Sequence, residues 1–232
     1  MNSSVKSKEL IAGSDEFNVI ISFKDEVSAF NGLKKAVFKN KGMYNNKISA
    51  LIFEYLGAKG INTQFIELLD DHSQRVKHVK MIPMEIIIRN AAAGPFMEDL
   101  GLESGLVFDT PIYELRYKSQ KHHDPIIGHT HALAMNLADE KTLRAIHDIS
   151  QEINDELTQL FKKAGIKLID LKVEFGLDKD GSLVLADSIT PDTMRLWDLD
   201  SKKVLDKDVF RKDLGKLDKA YEEVLRRLEA SV

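Results

Sequence analysis

Hydrophobic residues recur at helical spacing in three stretches of the chain. The most regular pattern covers residues 138–165, where apolar side chains follow at steps of three or four, Asp139 can cap the N-terminus and a glycine ends the run. A shorter amphipathic pattern begins after residues 41–46, which interrupt the periodicity, and stops at Gly60. A final pattern covers residues 212–228. These stretches predict three main helices.

Strands are predicted mainly before the long helix. Apolar runs of strand length, separated by turn residues, fall at residues 8–12, 17–23, 63–69, 75–79 and 82–89. A β-rich first part followed by a long helix, a hairpin and a terminal helix is typical of an α+β fold. We therefore predict two lobes with a cleft between them: a β-rich N-terminal lobe over residues 1–83 and a mixed α+β C-terminal lobe over residues 84–232.

The segment after the long helix alternates in polarity with a period of two, as a strand does. One predicted face carries Lys167, Ile169, Leu171, Val173 and Phe175, and the other carries Leu168, Asp170, Lys172 and Glu174. Asp180-Gly181 is typical of a hairpin turn, so the apolar residues 183–186 predict the returning antiparallel strand. In this hairpin Asp187 lies roughly opposite Glu174, with Cβ atoms about 4.5–5.5 Å apart.

Two carboxylates at that separation repel each other unless a proton or a cation lies between them. A hard cation with oxygen ligands, such as Mg²⁺, suits the pair, and Mg²⁺ usually accompanies a phosphate. The alternative is a half-exposed edge hairpin whose charges face water. Residues 190–198 favour a site, because they place a proline turn, a further carboxylate, a guanidinium and the only tryptophan directly after the second strand.

Composition narrows the class of protein. The 232 residues carry a net charge of −4 and a pI near 6.0, which argues against nucleic acid or an anionic membrane as the main partner. The absence of cysteine excludes disulfides, thiolate catalysis and cysteine-ligated metals, and it favours a reducing cytoplasm. The N-terminus lacks the apolar core of a signal peptide, and no apolar run reaches membrane-spanning length.

Several further residues suit ligand binding but have ordinary alternatives. Lys6 and Lys8 could meet nucleotide phosphates, or they could be a solvated tail. Arg89 ends an apolar strand before small residues and could bind an anion, or it could mark a plain strand-to-loop transition. The histidines of residues 122–131 lack HExxH spacing, so zinc is not favoured, although Asp124 remains a candidate outer ligand for a cation.

The ordered motifs as a whole resemble one known family. The most distinctive is Asp170-Leu-Lys-Val-Glu-Phe-Gly176, and the other matches lie at residues 23–32, 41–46, 89–94, 117–118, 123–125, 186–187, 191–198 and 205–211. The chain resembles SAICAR synthetases over nearly its whole length. The resemblance implies an ATP-dependent ligase of purine biosynthesis that joins L-aspartate to the carboxylate of CAIR through an acyl phosphate, with the nucleotide held between the two lobes.

The resemblance also implies roles for individual residues. ATP phosphates would be bound by Lys6, Lys8 and Lys118. Mg²⁺ would be held by Glu174 and Asp187, with Asp124 nearby. The candidate catalytic residues at the imidazole site are Asp170, Lys172 and Asp192. The candidate substrate-binding residues are Ser28, Arg89, Arg195 and Arg211, of which Arg89 and Arg195 would grip the phosphate of the nucleotide substrate.

Some positions depart from the family pattern. Val5 stands where a glycine is usual, Pro95 replaces a serine, Glu98-Asp99 occupies a basic stretch, Ser188 replaces an acid and Ser119-Gln120 replaces Asn-Asp. These changes alter groups near the expected anions, since a valine is bulky and a proline lacks an N–H. Three hypotheses follow: a SAICAR synthetase, a relative with another acceptor, or a nucleotide-binding protein without catalysis. A homodimer formed through the β-rich lobe is a further possibility.

Overall fold

A computed structural model describes residues 3–5, 7–13 and 15–232. The strands are β1 (Ser3–Val5), β2 (Lys8–Ala12), β3 (Asn18–Phe23), β4 (Glu26–Ala29), β5 (Lys34–Val37), β6 (Phe65–Leu68), β7 (Ser73–Lys77), β8 (Lys80–Met81), β9 (Met84–Ala91), β10 (Val107–Tyr117), β11 (Ile126–Ile127), β12 (Ile166–Leu177), β13 (Leu183–Ala186) and β14 (Met194–Asp198). The α-helices are α1 (Lys41–Ala58), α2 (Pro95–Asp99), α3 (His129–Ala134), α4 (Glu140–Lys163), α5 (Asp208–Arg211) and α6 (Leu217–Glu229). Among the helices so described, none has the length and apolar character needed to cross a membrane.

Two antiparallel sheets carry most of the strands. The first has the order β1-β2-β3-β7-β6, and the second has the order β11-β10-β9-β12-β13. Strands β8 and β14 also pair with β12, and β4 and β5 form a separate hairpin. The long strand β12 therefore lies at the centre of the second sheet, next to β9. The predicted α+β fold, with a β-rich N-terminal part, is confirmed.

One hydrophobic core connects the two parts of the chain. Ile52 and Leu56 of α1 are fully buried together with Ile146 of α4, Leu171 of β12 and Val224 of α6. Burying aliphatic side chains of this size stabilises the fold by about 1.5–3 kcal/mol each. Helix α1 therefore packs on elements from both predicted lobes, and the lobe boundary near residue 83 stays a prediction.

Main-chain hydrogen bonds join the segment before β6 to strand β13. Thr63 and Leu185 form a parallel bridge. The amide of Gln64 donates to the Leu185 carbonyl at 2.9 Å, and the amide of Leu185 donates to the Asn62 carbonyl at 2.8 Å. The Gln64 side chain also donates to the Asp187 carbonyl. We call these contacts the seam, because they fasten the N-terminal part to the strand that precedes Asp187.

The first helix begins earlier than its hydrophobic periodicity predicted. Residues 41–46 were expected to precede the helix, but α1 starts at Lys41. The Asp25 carboxylate accepts from the amide of Asn40 at 3.2 Å and from the amide of Gly42 at 2.9 Å, which satisfies free donors of the first turn. A Cβ on Gly42 would lie 2.5 Å from the Phe23 carbonyl oxygen, so only glycine fits there.

The other two helices differ in how well the sequence located them. Helix α4 begins and ends within two residues of the prediction, and Asp139 caps it by accepting from the Thr142 amide at 2.7 Å. The final helix was predicted from residue 212, but α6 begins at Leu217 after the short helix α5. The predicted start was wrong because residues 212–216, which include Gly215 at a φ of 146°, are not helical.

A bulge changes the predicted faces at the start of β12. Leu168 pairs with Leu196 and Asp170 pairs with Arg195, so Ile169 is an extra residue on β12. Leu168 consequently shares the main core with Leu171, whereas Ile169 packs on the opposite side in a cluster with Ala91 at the end of β9 and Ala93 just after it. The prediction that Lys167 and Ile169 share a face with Leu171, and Leu168 with Asp170, was therefore wrong; from Asp170 onward the predicted alternation holds.

Candidate active site

The acidic hairpin forms as predicted, with its carboxylates at the end of the paired region. Asp178 accepts from the amides of Asp180 and Ser182 in the turn, and Gly181 adopts a φ of 78°. The residue paired with Glu174 is Ala186 rather than Asp187. Asp187 follows as the next residue.

The backbone at Asp187 leaves the strand conformation. Its φ of 65° lies in the left-handed region that aspartate tolerates better than most residues. Lys172 nevertheless contacts both Glu174 and Asp187, so the two carboxylates are close together. The predicted juxtaposition is present, although Asp187 reaches it from one residue beyond the expected pairing.

Three ammonium and three carboxylate groups meet at this point. We call them the lysine–carboxylate cluster: Lys8, Lys118, Lys172, Glu85, Glu174 and Asp187. The Lys172 ammonium lies 3.1 Å from Glu85 Oε1 and 3.5 Å from Asp187 Oδ2, and it also donates to Glu174. Lys172 is thus the centre of the cluster, because it contacts all three carboxylates.

The other two lysines enter from separate strands. Lys8 of β2 pairs with Asp187 and donates to the Ser188 hydroxyl at 3.1 Å. Lys118, which directly follows β10, pairs with Glu174 and is about half exposed. The cluster therefore draws its charges from both sheets.

Burial and charge act in opposite directions on these groups. Burial alone would lower the pKa of Lys172, but the carboxylates of Asp187 and Glu174 raise that pKa above its ordinary value. Burial, followed by the charge of Asp187, raises the pKa of Glu174. Burial would also raise the pKa of Asp187, but Lys8 and Lys172 lower it below its usual range. The ion pairs keep Asp187 and Lys172 charged, whereas Glu174 is the carboxylate most ready to accept a proton or a cation.

The donor set fits a magnesium ion bound together with a phosphate. Glu174 and Asp187 supply hard oxygen ligands, and Mg²⁺ in proteins commonly uses one or two carboxylates plus substrate phosphate oxygens. In the described part of the chain, no three carboxylate or imidazole groups converge as a metal site. The predicted third ligand, Asp124, accepts from the Ser119 amide at 2.7 Å in the loop after Lys118. Its metal role stays a prediction.

A second set of charges lies farther toward the start of β12. We call it the arginine–carboxylate cluster: Arg89, Arg195, Arg211, Glu114, Asp170 and Asp208. Asp170 Oδ2 accepts from Arg89 at 2.7 Å and from Arg195 at 2.6 Å. Arg89 also forms a two-point contact with Glu114 through its other edge. Arg89, Glu114 and Asp170 are nearly inaccessible to water, so their positions are held by charge-assisted hydrogen bonds.

Asp208 bridges the remaining two arginines. Its Oδ2 accepts from Arg195 Nε at 3.2 Å, and its Oδ1 accepts from Arg211 at 2.6 Å. Burial would lower the pKa of Arg195, but Asp170 and Asp208 raise it. A Cβ on Gly94 would lie 2.5 Å from Arg195 Nη2, so the glycine at φ 81° makes room for the guanidinium.

Asp192 has both carboxylate oxygens occupied. Its Oδ2 accepts from Lys41 at 2.7 Å and from Asn45 at 2.8 Å, and its Oδ1 accepts from the Tyr221 hydroxyl at 2.8 Å. Burial would raise the pKa of Asp192, but Lys41 and then Lys207 lower it below the usual range. Asp192 therefore ties the loop between β13 and β14 to α1 and α6 through a buried ion pair.

A cleft of about 170 Å³ collects six of the thirteen predicted residues. Its lining includes Arg89, Asp170, Lys172, Asp192, Arg195 and Arg211. Lys172 links this lining to the lysine–carboxylate cluster, which contains the predicted Lys8, Lys118, Glu174 and Asp187. Ser28 lies on β4, in a hairpin whose Lys34 contacts the Phe210 carbonyl at 2.7 Å, beside Arg211. Lys6 lies outside the described residues.

The positions that depart from the family pattern are spread around the site. Pro95 is exposed at the first position of α2, and Glu98 and Asp99 are exposed on the same short helix. Ser188 is buried and accepts from Lys8. The side chain of Val5 is not described. Two of the departing residues contact predicted site residues: Ser188 contacts Lys8, and Ser119 contacts Asp124.

Several residues of the two clusters and of the Asp192 contacts were not predicted as site residues from the sequence. Glu85 and Glu114 lie on β9 and β10, Lys41 and Asn45 on α1, and Asp208 on α5. Alternation along β9 was a usable signal for Glu85, because it places Glu85, Ile87 and Arg89 on one face. Lys41, Asn45 and Asp208 lie in the family motifs at residues 41–46 and 205–211, but tertiary packing alone shows which carboxylates and cations they contact.

Comparison with known proteins follows this geometry. The family model described as SAICAR synthetase matches residues 3–228. A phosphoribosylaminoimidazole-succinocarboxamide synthase of Clostridium kluyveri is 47% identical over 223 residues, covering 96% of this chain and 94% of the relative. The chain belongs to the SAICAR synthetase family.

Solved structures of SAICAR synthetases share the fold. The synthase from Ehrlichia chaffeensis superposes with a TM-score of 0.96 at 41% identity, covering 99% of this chain and 98% of that one. A SAICAR synthetase in complex with ADP superposes with a TM-score of 0.95 at 40% identity, covering 98% and 97%. The family resemblance drawn from the motifs is thus confirmed over almost the whole length.

Proposed function

We propose that this chain is an ATP-dependent ligase that joins L-aspartate to the carboxylate of CAIR and forms SAICAR, ADP and phosphate. Family membership over residues 3–228 supports the reaction class. The observation that carries the proposal is the position of Lys172. Its ammonium contacts Glu174 and Asp187 while its side chain lines the cleft with Arg89 and Arg195, so one residue joins the two charged clusters.

The two clusters suit the two halves of the reaction. Arg195 and Arg211 of the cleft would bind the phosphate of CAIR, because guanidinium groups match phosphate oxygens in pairs. Arg89, which the resemblance also assigned to that phosphate, is buried and already bonded to Glu114 and Asp170. Lys8, Lys118 and Lys6 would bind the ATP phosphates. Residues two apart on one strand face are separated by about 7 Å, so Lys172 lies between the acceptor side at Asp170 and the nucleotide side at Glu174.

This arrangement brings donor and acceptor together. The CAIR carboxylate oxygen would attack the γ-phosphorus of ATP, and ADP would leave. Lys172 would partly neutralise the negative charge of that carboxylate during the attack. The aspartate amine would then attack the acyl carbon of the resulting acyl phosphate and release phosphate. Holding the reactants in one orientation is worth several kcal/mol of the barrier. When bound by Glu174 and Asp187, Mg²⁺ would supply charge neutralisation for the phosphate oxygens.

The alternatives of another acceptor or no catalysis are not favoured. Relatives named as synthases are 41–47% identical to this chain over almost their full length. Glu98 and Asp99, which motivated the alternative acceptor, lie on exposed surface at α2. We expect the reaction to take place in the cytoplasm, and a homodimer remains a prediction.

One assay tests the proposal. The purified protein, given ATP, Mg²⁺, CAIR and aspartate, should release ADP and form SAICAR in equal amounts. Release of ADP with a different acceptor only, or ATP binding in calorimetry without turnover on any acceptor, would replace the proposal with one of the two alternatives.

A variant tests the metal assignment within the same assay. Glu174→Gln should reduce Mg²⁺-dependent turnover by roughly two or more orders of magnitude, because it removes a ligand charge where the phosphoryl group transfers. Asp180→Asn, in the turn of the same hairpin, is the matched control and should keep the wild-type rate. Unchanged turnover of Glu174→Gln would contradict the assignment.

A further inference from the structure

A buried carboxylate outside the cleft holds the segment that carries Asp208 and Arg211. Asp206 is completely inaccessible to water. Its Oδ2 accepts from the Leu196 amide on β14 at 2.8 Å, and its Oδ1 accepts from the Asp208 amide at 2.7 Å. Asp206 thus connects the residue after Arg195 directly to Asp208.

One of the two amides bonded by Asp206 belongs to a residue of the arginine–carboxylate cluster, and the other belongs to the residue next to one. Leu196 follows Arg195, and Asp208 is the bridge between Arg195 and Arg211. Moving the Asp208 backbone by a fraction of an ångström would therefore change the spacing of two guanidinium groups that line the cleft. Phosphate recognition by paired guanidiniums depends on that spacing, because each N–H must point at an oxygen.

Keeping the Asp206 carboxylate ionised costs free energy, because the side chain is completely buried. Burial and the charge of Asp208 both disfavour the ionised form of its carboxylate, and the charge of Arg195 offsets them only in part. Serine or asparagine would offer one acceptor oxygen, whereas the carboxylate accepts the two amides with separate oxygens. An ionised acceptor binds the amides more strongly, since hydrogen bonds to charged groups are stronger than neutral ones.

We propose that Asp206 is a positioning residue for acceptor binding: it fixes Asp208 and, through Asp208, the spacing at which Arg195 and Arg211 hold the acceptor phosphate. The inference rests on the proposed function of these arginines. It assigns to Asp206 an effect on the affinity for the phosphorylated acceptor and none on the affinity for ATP.

The environment of Asp206 makes the effect dependent on pH. The groups that face it are Asp208 from α5, Arg195 from β14 and the Tyr221 hydroxyl from α6. Burial, followed by the charge of Asp208, raises the pKa of Asp206 to about 7. Above this pH the carboxylate is ionised and holds both amides strongly, whereas below it the protonated acid is a weaker acceptor.

The test compares Asp206→Asn with wild type in the SAICAR assay. At pH 8 the variant should raise the KM for CAIR roughly tenfold, the range expected when a charge-assisted hydrogen bond is lost, with the KM for ATP within about twofold of wild type. The ratio of the two CAIR KM values should fall toward one as the pH decreases to 6, because asparagine resembles the protonated acid. Titration of the CAIR phosphate affects both proteins alike and cancels in the ratio.

A matched control separates positioning from general stability. Asp198 lies at the end of β14, the strand that carries Leu196. It accepts from the Ser201 amide at 2.8 Å and pairs with Arg227 away from the cleft. Asp198→Asn should leave the KM for CAIR unchanged. If Asp206→Asn lowers kcat for all substrates without a selective, pH-dependent change in the CAIR KM, Asp206 is only structural and the proposal is overturned.

A second variant covers the case in which Asp206→Asn does not fold. Asp208→Asn keeps the Asp206 contacts but removes the bridge, so it should also raise the CAIR KM; an unchanged KM would overturn the proposal. Binding of ribose 5-phosphate in calorimetry gives a readout without turnover. Wild type that binds ribose 5-phosphate but forms no SAICAR would contradict the proposed function alone, whereas equal ribose 5-phosphate affinity in wild type and Asp208→Asn would contradict this inference alone.

Discussion

The two charged clusters on β12 solve the same problem in different ways. Both surround carboxylates with cations, but one uses lysines and the other uses arginines. In the lysine–carboxylate cluster, Lys118 is about half exposed and each ammonium is a single point charge on a flexible stem. In the arginine–carboxylate cluster, Asp170 and Asp208 each bridge two planar guanidiniums in fixed directions.

The difference indicates which cluster can exchange its partners. A lysine can leave a carboxylate for a nucleotide phosphate and expose that carboxylate to a cation at little geometric cost. An arginine bound on two edges cannot turn without leaving a buried carboxylate unpaired, which is strongly unfavourable. We infer that the nucleotide side of the cleft rearranges its ion pairs during binding, whereas the acceptor side is preorganised.

The largest expected effect tests whether burial, rather than the choice of lysine or arginine, decides whether an ion pair can exchange its partners. Lys41 is a lysine, but its pair with Asp192 is fully buried. Lys41→Met should lower the free energy of unfolding by about 4 kcal/mol, because it removes the nearest cation of a buried carboxylate. Chemical denaturation measures the change. Lys47 lies on the same helix as Lys41 and forms a half-exposed ion pair with Asp71. Lys47→Met should therefore lower the free energy of unfolding by under about 1 kcal/mol. Equal losses in the two variants would contradict the argument.

Asp206 provides the next largest effect through the pH dependence of stability. Its pKa is about 7 in the folded protein and 3.8 for an unperturbed group, so between these values the folded state binds more protons than the unfolded state. The contribution of Asp206 to the free energy of unfolding should therefore decrease as the pH rises from 4 to 7, by on the order of 3 kcal/mol. Denaturation curves of Asp206→Asn should lack this decrease. A parallel pH profile in the variant would place the pKa of Asp206 elsewhere.

Arg195→Lys tests the preorganisation of the acceptor side directly. Lysine keeps the charge but cannot reach Asp170 and Asp208 together, so we expect the KM for CAIR to rise roughly thirtyfold, or about 2 kcal/mol. Steady-state kinetics with varied CAIR measures this change. Arg226→Lys, on the exposed face of α6, should have no effect. A wild-type KM in Arg195→Lys would mean that charge alone, without the guanidinium geometry, suffices.

Lys118→Met gives the smallest effect and tests the exchangeable side. Removing this ammonium frees one oxygen of Glu174, so the variant should bind Mg²⁺ without nucleotide roughly fivefold more tightly than wild type, or about 1 kcal/mol. Isothermal titration with Mg²⁺ alone measures the affinity. Lys121→Met, an exposed lysine of the following loop, should match wild type. Weaker binding by Lys118→Met would show that Lys118 does not compete with the cation.

Local patterns were sufficient for the parts of the fold that repeat in sequence. The steps of three and four in α4, its cap at Asp139 and the turn at Asp180-Gly181 all predicted what the structure has. The ordered motifs also predicted which side chains gather at the cleft, since six of the predicted residues line it.

The remaining features depend on contacts between distant residues. The bulge at Ile169 arises from pairing with β14, and the early start of α1 depends on the carboxylate of Asp25, so neither is encoded in the local periodicity. Asp206 lies in the family motif at residues 205–211, but its contacts could not be predicted, because one of them is a hydrogen bond from a neighbouring strand. The pairing of Ala186 rather than Asp187 with Glu174 shows that a one-residue shift is within the error of a hairpin register drawn from a turn.

The seam between Thr63 and Leu185 limits how far the N-terminal part of the enzyme can move relative to β13. Wide rotation of the N-terminal part away from β13 would first break two main-chain hydrogen bonds and the hydrogen bond that the Gln64 side chain donates to the carbonyl of Asp187. Ligands must therefore enter and leave while the hydrogen bonds of the seam stay intact. The amides of Gln64 and Leu185 should exchange with solvent deuterium far more slowly than the amides of exposed turns.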